Sequence, residues 1–408
     1  MESKKPIYLN NGIEVLLRPA MGLHRVGISV GLRYGALYER KIGSASLMQD
    51  VMYSPRSDIQ DVLKSNGIEY DAFVGYDEVI NSVSCTPNKV NMALDNLHEI
   101  IFRPKFSKKD TETEKMGIIL ENIKEMETPG DGVLLRLDDI MFDGSRLATQ
   151  VNGDNISISK LSSRDLEREH NEAYTGKRIS VAVYGAINSH DAYDIVKSKF
   201  SDVPAGRKCS TAVLSLKNNQ PGELIGEAPL VEQTKFAIGL LGPGTGVNRN
   251  WKSYYSVCMD CAVDILEKRL FEELRDKKSL VYSTRAEYLS GVGYGKTIIR
   301  GGTTRERTND TKEAIMAELR KMADGEISKY EIARSIGMER FEAQKRRDDA
   351  VDSSKSLVED CIMQLPADFS EAQLSYANLD TIREVAAKYL DPERSYTVML
   401  KPKGRSCK

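Results

Sequence analysis

The sequence predicts an α+β chain of two similar domains, each an antiparallel sheet with helices packed on one face. Three observations predict it. Strand-like runs are followed by helix-like runs twice over, in the same order, and strands followed by helices favour helices layered on an antiparallel sheet. The ends of the two halves share residues at one offset: Asp165, Arg168, Glu169 and Tyr174 recur as Asp380, Arg383, Glu384 and Tyr389, each 215 positions further on. The stretch between them, from Val203-Pro204-Ala205-Gly206-Arg207 to Asn218-Asn219-Gln220-Pro221-Gly222, is polar and rich in chain breakers. We therefore expect an N-terminal domain over 1–207, a linker over 208–224 and a C-terminal domain over 225–408. A chain of 408 residues has room for both.

In order along the chain, Val26-Gly27-Ile28-Ser29-Val30-Gly31-Leu32 is strand-like and is followed by a loop and a helix. A strand pair is expected near 67–86 and two helices within 88–126. The first half then closes on a helix and the strand Ile179-Ser180-Val181-Ala182-Val183. The second half repeats this with Phe236-Ala237-Ile238-Gly239-Leu240-Leu241-Gly242, a helix from Tyr254 to Arg275, a strand pair near 280–302 and helices within 307–347. A closing helix and the strand Tyr396-Thr397-Val398-Met399-Leu400 complete it.

Composition narrows the function. The formal net charge of −2 gives no general attraction to nucleic acid or to an anionic membrane. No stretch approaches the ~18 apolar residues of a membrane span. MESKKPIYLNNG carries no hydrophobic signal core, so a cytoplasmic location is expected. The scattered cysteines suit a reducing compartment. Cys258-x-x-Cys261 has no second ligand pair near it and falls in a helix-like stretch, so it reads as two helix cysteines rather than a structural zinc site. Gly291 to Thr297 lacks the first glycine of a P-loop, with Ser290 in that place, and lies between strands; it reads as a glycine-rich turn. Residues 242–246 read as a connector, and Lys345-Arg346-Arg347 followed by Asp348-Asp349 as a solvated helix face. His24, His98, His170 and His190 form no ligand cluster in sequence.

Several stretches carry a family resemblance. Leu9-Asn10-Asn11-Gly12-Ile13-Glu14-Val15 looks like an opening hairpin, and Gly31-Leu32-Arg33-Tyr34-Gly35 with Glu39 and Gly43 looks like the approach to an inverted zinc motif. Phe102-Arg103-Pro104-Lys105-Phe106 precedes a helix with Glu114 and Glu121, and Leu161-Ser162-Ser163-Arg164-Asp165-Leu166 leads to Tyr174. Phe271-Glu272-Glu273-Leu274-Arg275 and Leu280-Val281-Tyr282-Ser283 follow in the second half. Over about residues 7–403 the chain resembles the pitrilysin/insulinase family of zinc peptidases, in its half-length, processing-peptidase-like branch.

The resemblance places H-x-x-E-H over residues 46–50, where this chain has Ser46, Gln49 and Asp50. A serine hydroxyl is a poor zinc ligand, and an amide cannot take a proton from water. Glu121 stands in the third-ligand slot with Glu114, seven residues earlier, as its support; both read as vestigial, and no metal is expected in this chain. Arg275 and Tyr282 stand where the family holds its substrate-binding pair, which donates to the scissile carbonyl and its oxyanion. The resemblance thus implies a non-catalytic subunit with no self-contained catalytic residues, zinc residing in a homologous partner subunit, and an extended peptide as substrate. A structural or peptide-binding subunit and a homodimer stay open, as does a metallopeptidase using Asp50 and Glu121 as unusual ligands.

Overall fold

The computed structural model describes residues 6–54, 56–210, 212, 214, 220–228, 231–245, 254–365 and 372–403. Residues 211, 213 and 215–219 of the expected linker, and Gly246 of the 242–246 connector, lie outside the described residues. The chain divides into two compact units. One comprises Met1–Asn122, Gln150–Ala212 and Glu342–Phe369; the other comprises Ile123–Thr149, Val213–Phe341 and Ser370–Lys408. Neither is contiguous, because each takes in a helical segment from the far half of the sequence.

The first unit is built on β1 (Ile7–Tyr8), β2 (Glu14–Pro19), β3 (Val26–Leu32), β4 (Glu69–Val74), β5 (Val79–Cys85) and β6 (Ile179–Gly185). Their spatial order is β1-β2-β6-β3-β5-β4, antiparallel except for the parallel pair β2–β6. Along β3 the bulky residues Val26, Ile28, Val30 and Leu32 alternate with Gly27, Ser29 and Gly31, as a strand's period of two requires. The bulky face joins the main core with α1 (Ser44–Tyr53), α2 (Ser57–Ser65), α3 (Val90–Phe102), α7 (Ser163–Ala173) and α8 (Ser189–Phe200); residues of α4 (Lys108–Glu127) and the short α6 (Asn155–Ser159) join it too.

The small-residue face is also covered. Helix α12 (Ala350–Ile362) packs across β3, β6 and β5, with Leu357, Val358 and Ile362 against Leu16, Ile80 and Ala182. Gly27 permits the approach: a Cβ there would stand 2.0 Å from the Ala350 carbonyl oxygen. Ser29 bonds Ser82 at 2.8 Å and Ser354 of α12 at 2.7 Å, so its buried hydroxyl is satisfied. Burial on both faces explains why every residue of β3 and β5 is buried.

The second unit holds β7 (Glu223–Ala228), β8 (Thr234–Gly242), β9 (Val281–Gly291), β10 (Tyr294–Thr303) and β11 (Tyr396–Pro402), in the order β7-β11-β8-β10-β9, again antiparallel except for one pair, β7–β11. Its main core lies under α9 (Tyr255–Leu270), α10 (Thr308–Ala323) and α13 (Leu379–Tyr389), with Ile332 of α11 (Lys329–Asp348). Here the exchanged helix is α5 (Pro129–Met141), which packs on β8 and β11; a Cβ at Gly239 would meet the Met141 sulfur at 2.2 Å. The residues that recur at an offset of 215 lie on or at the end of the closing helices α7 and α13, whose caps are alike though one residue out of that register. In α7 the Ser162 hydroxyl accepts from Asp165 N–H and the Asp165 carboxylate from Ser162 N–H; in α13 Asn378 and Thr381 make the same reciprocal cap. Among the described residues no helix is long and apolar enough to cross a membrane.

Candidate functional site

Helix α1 carries the positions where zinc donors would stand. Gly43 starts it at φ 85°, a left-handed conformation, packed so tightly on Ile158 and Asn152 that no side chain fits. Two carboxylates hold its first turn. Glu39 accepts from the N–H groups of Gly43 (2.9 Å) and Ala45 (3.0 Å), and Glu169 accepts from the Ser44 hydroxyl (2.7 Å). Both also favour the positive end of the helix dipole. The helix is therefore rigidly placed, and nine of its ten residues are buried.

Ser46, Gln49 and Asp50 face different tasks from those of metal ligands. Ser46 Oγ is buried with no hydrogen-bond partner among the described residues. Gln49 donates through Nε2 to Asn81 Oδ1 at 2.7 Å, and Tyr53, one turn on, donates to the same oxygen at 2.9 Å. Burial pushes Asp50 up to about 7, helped by the nearby charges of Glu114 and Glu121 on α4. A zinc ion would need Asp50 charged, and it would draw one hydroxyl and one amide in place of imidazoles and a base. Among the described residues no three His, Cys, Asp or Glu side chains are grouped to hold a metal ion. These residues do not fit the zinc that the resemblance would bring.

Arg275 and Tyr282 are brought together. Past α9 the backbone widens into a π-helical turn over Phe271–Lys277, with Lys278 N–H reaching back to the Glu273 carbonyl at 3.2 Å. The expected helix from Tyr254 to Arg275 thus changes pitch before Arg275, a local irregularity of the kind found at functional sites. Ser279 then turns the chain at φ 51°, and the buried Leu274 and Leu280 anchor the turn through a 2.7 Å backbone bond. Thr303 donates to the Leu280 carbonyl at 2.7 Å, and Arg307 donates to the Ser279 carbonyl.

The Arg275 guanidinium lies 4.8 Å from the Phe271 ring centroid and 5.5 Å from that of Tyr282. Such stacking is worth about 0.5–1 kcal/mol at an exposed site and leaves the in-plane N–H donors free. Tyr282 is 81% exposed, at the start of β9, which is an edge strand. Among the described residues neither side chain makes a hydrogen bond, so the donors of both are unspent. Sequence reasoning missed Phe271, Ser279 and Arg307. Of these only Phe271 carried a signal, an aromatic four residues before an arginine in a helix.

The other sequence features settle into structure. Cys258 and Cys261 are buried thiols of α9, neither in a disulfide, and burial pushes the Cys261 thiol far up. The Gly291–Thr297 stretch makes the β9–β10 hairpin, with Gly293 at φ 87°.

Two units, each a mixed sheet with helices on both faces, one carrying Ser46, Gln49 and Asp50 on its first helix and the other an exposed Arg–Tyr pair, define a zinc-peptidase-like chain with no zinc-binding donor set among the described residues. Comparison with known proteins gives the family. Residues 15–155 match the family described as insulinase (peptidase family M16), and residues 160–338 match the one described as the peptidase M16 inactive domain. The chain belongs to peptidase family M16. It is 22% identical to an uncharacterized zinc protease of Mycobacterium leprae, over 79% of this chain and 74% of that protein. It is 26% identical to the mitochondrial-processing peptidase subunit beta of Dictyostelium discoideum, over 48% of this chain and 43% of the other. Among solved structures, a peptidase M16 inactive domain from Pseudomonas fluorescens superposes with a TM-score of 0.88 at 18% identity, covering 98% of both chains. The periplasmic protease PqqL of Escherichia coli gives 0.78 at 16% identity, with 98% of this chain matching 48% of that one.

Proposed function

We propose that this chain is the non-catalytic subunit of a two-chain peptidase. It binds an extended peptide and presents Arg275 and Tyr282 to the scissile carbonyl, while a homologous partner supplies zinc and the general base. The observation that supports this reading is the pair itself: two side chains with unspent donors, stacked together at the start of an edge strand. When water adds to a peptide carbonyl, the oxygen becomes an anion. A guanidinium and a phenol aimed at that oxygen stabilise it more than they stabilise the ground state, and one such donor is worth about 10²–10³ in kcat elsewhere. Zinc, in the partner, would activate the water. In this chain Ser46, Gln49 and Asp50 take no part in bond breaking, and Glu114 and Glu121 remain as vestiges of a ligand helix.

The test begins with an affinity pull-down of the tagged chain from its own cells. A stoichiometric relative with an intact H-x-x-E-H is the expected companion. Arg275→Ala should then abolish peptide cleavage by the purified pair while leaving its assembly intact. Full activity of that variant would turn the reading to a structural subunit. Recovery of the chain alone, binding peptides without cutting them, would turn it to a homodimeric peptide binder.

A further inference from the structure

At one end of the first sheet four cations line a single small cavity. Arg33 leaves the end of β3 and Arg178 stands just before β6; the Arg33 N–H donates to the Arg178 carbonyl at 2.8 Å, so the two residues start side by side. The segment carrying Lys208 and Cys209 is tied alongside, since Gly176 N–H donates to the Pro204 carbonyl (2.7 Å) and Lys177 N–H to that of Ala205 (3.0 Å). Arg33, Lys177, Arg178 and Lys208 line a cavity of about 60 Å³, with Cys209 and one carboxylate, Glu14, among the other lining residues.

The charges do not balance. Arg33 donates to the carbonyl of Ile362, at the C-terminal end of α12, a bond that leaves its positive charge in place. Glu14 is occupied by the hydroxyls of Tyr8 and Ser180, each at 3.3 Å. Among the described residues Lys177, Arg178 and Lys208 pair with no carboxylate, and the Arg178 Nε is buried without an acceptor. A buried N–H left unmet costs free energy, and four cations gathered about one small space, with Lys177 and Lys208 exposed to solvent, favour an anion between them.

We propose that this cavity binds a phosphoryl-type dianion, either free orthophosphate or the phosphoryl group of a small phosphomonoester. The space suits one tetrahedral oxyanion. Two negative charges, with Glu14, offset three of the four lining cations. The Arg178 fork supplies the planar donor geometry that phosphate oxygens accept, and the two lysines add point charges. The site is separate from Arg275 and Tyr282 and would survive the failure of the peptidase reading.

Cys209 is the built-in reporter, since its free, half-buried thiol lines the same cavity. Its alkylation by iodoacetamide, read by peptide mapping, is compared in potassium phosphate and in potassium chloride of equal ionic strength. Phosphate at several times its dissociation constant should slow the reaction about fivefold or more by occupancy. Acetate at the same concentration should not. Arg178→Gln with Lys208→Gln should remove the protection. Phenyl phosphate forms a second arm: protection by both anions assigns the phosphoryl group itself, and protection by the ester alone assigns a phosphomonoester. Equal Cys209 rates in chloride, phosphate and phenyl phosphate, together with no heat on titrating orthophosphate into the unmodified protein, would overturn the proposal whether or not the variant folds.

Discussion

Replacing Gly27 with alanine pushes one methyl group into the backbone of α12. The added carbon would stand 2.0 Å from the Ala350 carbonyl oxygen, 2.3 Å from its carbon and 2.6 Å from the Val351 nitrogen. Comfortable contact needs about 3.5 Å, so the start of α12 must retreat by more than about 1 Å. Backbone cannot rotate away as a side-chain tip can. Helix α12 buries Leu357, Val358 and Ile362 on the sheet; losing all three would cost roughly 5–9 kcal/mol, at about 1.5–3 each. Partial retreat costs less, about 1–3 kcal/mol for overpacking, with about 1 more for the strained Ser29–Ser354 bond. We expect Gly27→Ala to destabilise the first unit by about 2–4 kcal/mol. Urea unfolding measures the loss, and hydrogen exchange over residues 350–362 localises it. Gly117→Ala is the comparator: a Cβ there meets nothing within 4 Å in the middle of α4, so that variant should gain about 0.5–1 kcal/mol. A Gly27→Ala protein within about 0.5 kcal/mol of the parent, with α12 protection unchanged, would refute the reasoning.

Asp50 makes stability depend on pH with a sign opposite to that of a salt-bridged carboxylate. Its folded value is raised from 3.8 to about 7, so between those values the folded state holds the proton that the unfolded state has released. Stability therefore falls as pH rises through that window and is flat above it. Asp50→Asn should remove this slope and be the more stable protein at pH ~8, by about 2–4 kcal/mol, as urea midpoints at pH ~4 and ~8 would show. In the second unit Lys296 meets Asp138 at 2.5 Å beneath the sheet, and burial raises the Asp138 carboxyl against the pull of that lysine. Lys296→Met should cost about 3 kcal/mol by stranding the acid, and adding Asp138→Leu should recover most of it in a double-mutant cycle. Within the proposed two-chain peptidase, Tyr282→Phe should lower kcat by about 10²-fold with KM little changed, because the hydroxyl acts on the oxyanion rather than on the bound peptide.

The strands were legible wherever bulky and small residues alternate: Val26–Leu32 is β3 to the residue, and the expected pairs near 67–86 and 280–302 are β4–β5 and β9–β10. The resemblance carried Ser46, Gln49 and Asp50, and it set Arg275 and Tyr282 together as a pair, though not their stacking. What could not be read was which sheet α5 and α12 cover. Periodicity tells that a helix has an apolar face, and nothing in it names the surface that face meets. The glycines of β3 held the clue, since glycine inside a strand marks a close backbone approach. Strand β7, six residues with a mostly exposed pattern, has too little burial to stand out from the polar stretch before it. The cationic cavity was equally hidden, because its lysines and arginines come from segments far apart in sequence.

The exchange of α5 and α12 has a consequence for how the protein is made. A growing chain presents β1 to β6 to the cell long before residues 350–362 have been synthesised, and until then Gly27, Ser29 and Gly31 lack their cover. The usual route of one domain maturing behind another during translation is closed, because the earlier unit waits for a segment from the second half of the sequence. A break introduced between the halves, for example at the 208–224 stretch, would give two fragments each holding a helix that belongs on the other's sheet. Separately they should be poorly folded, and mixed together they should restore the native spectrum by complementation.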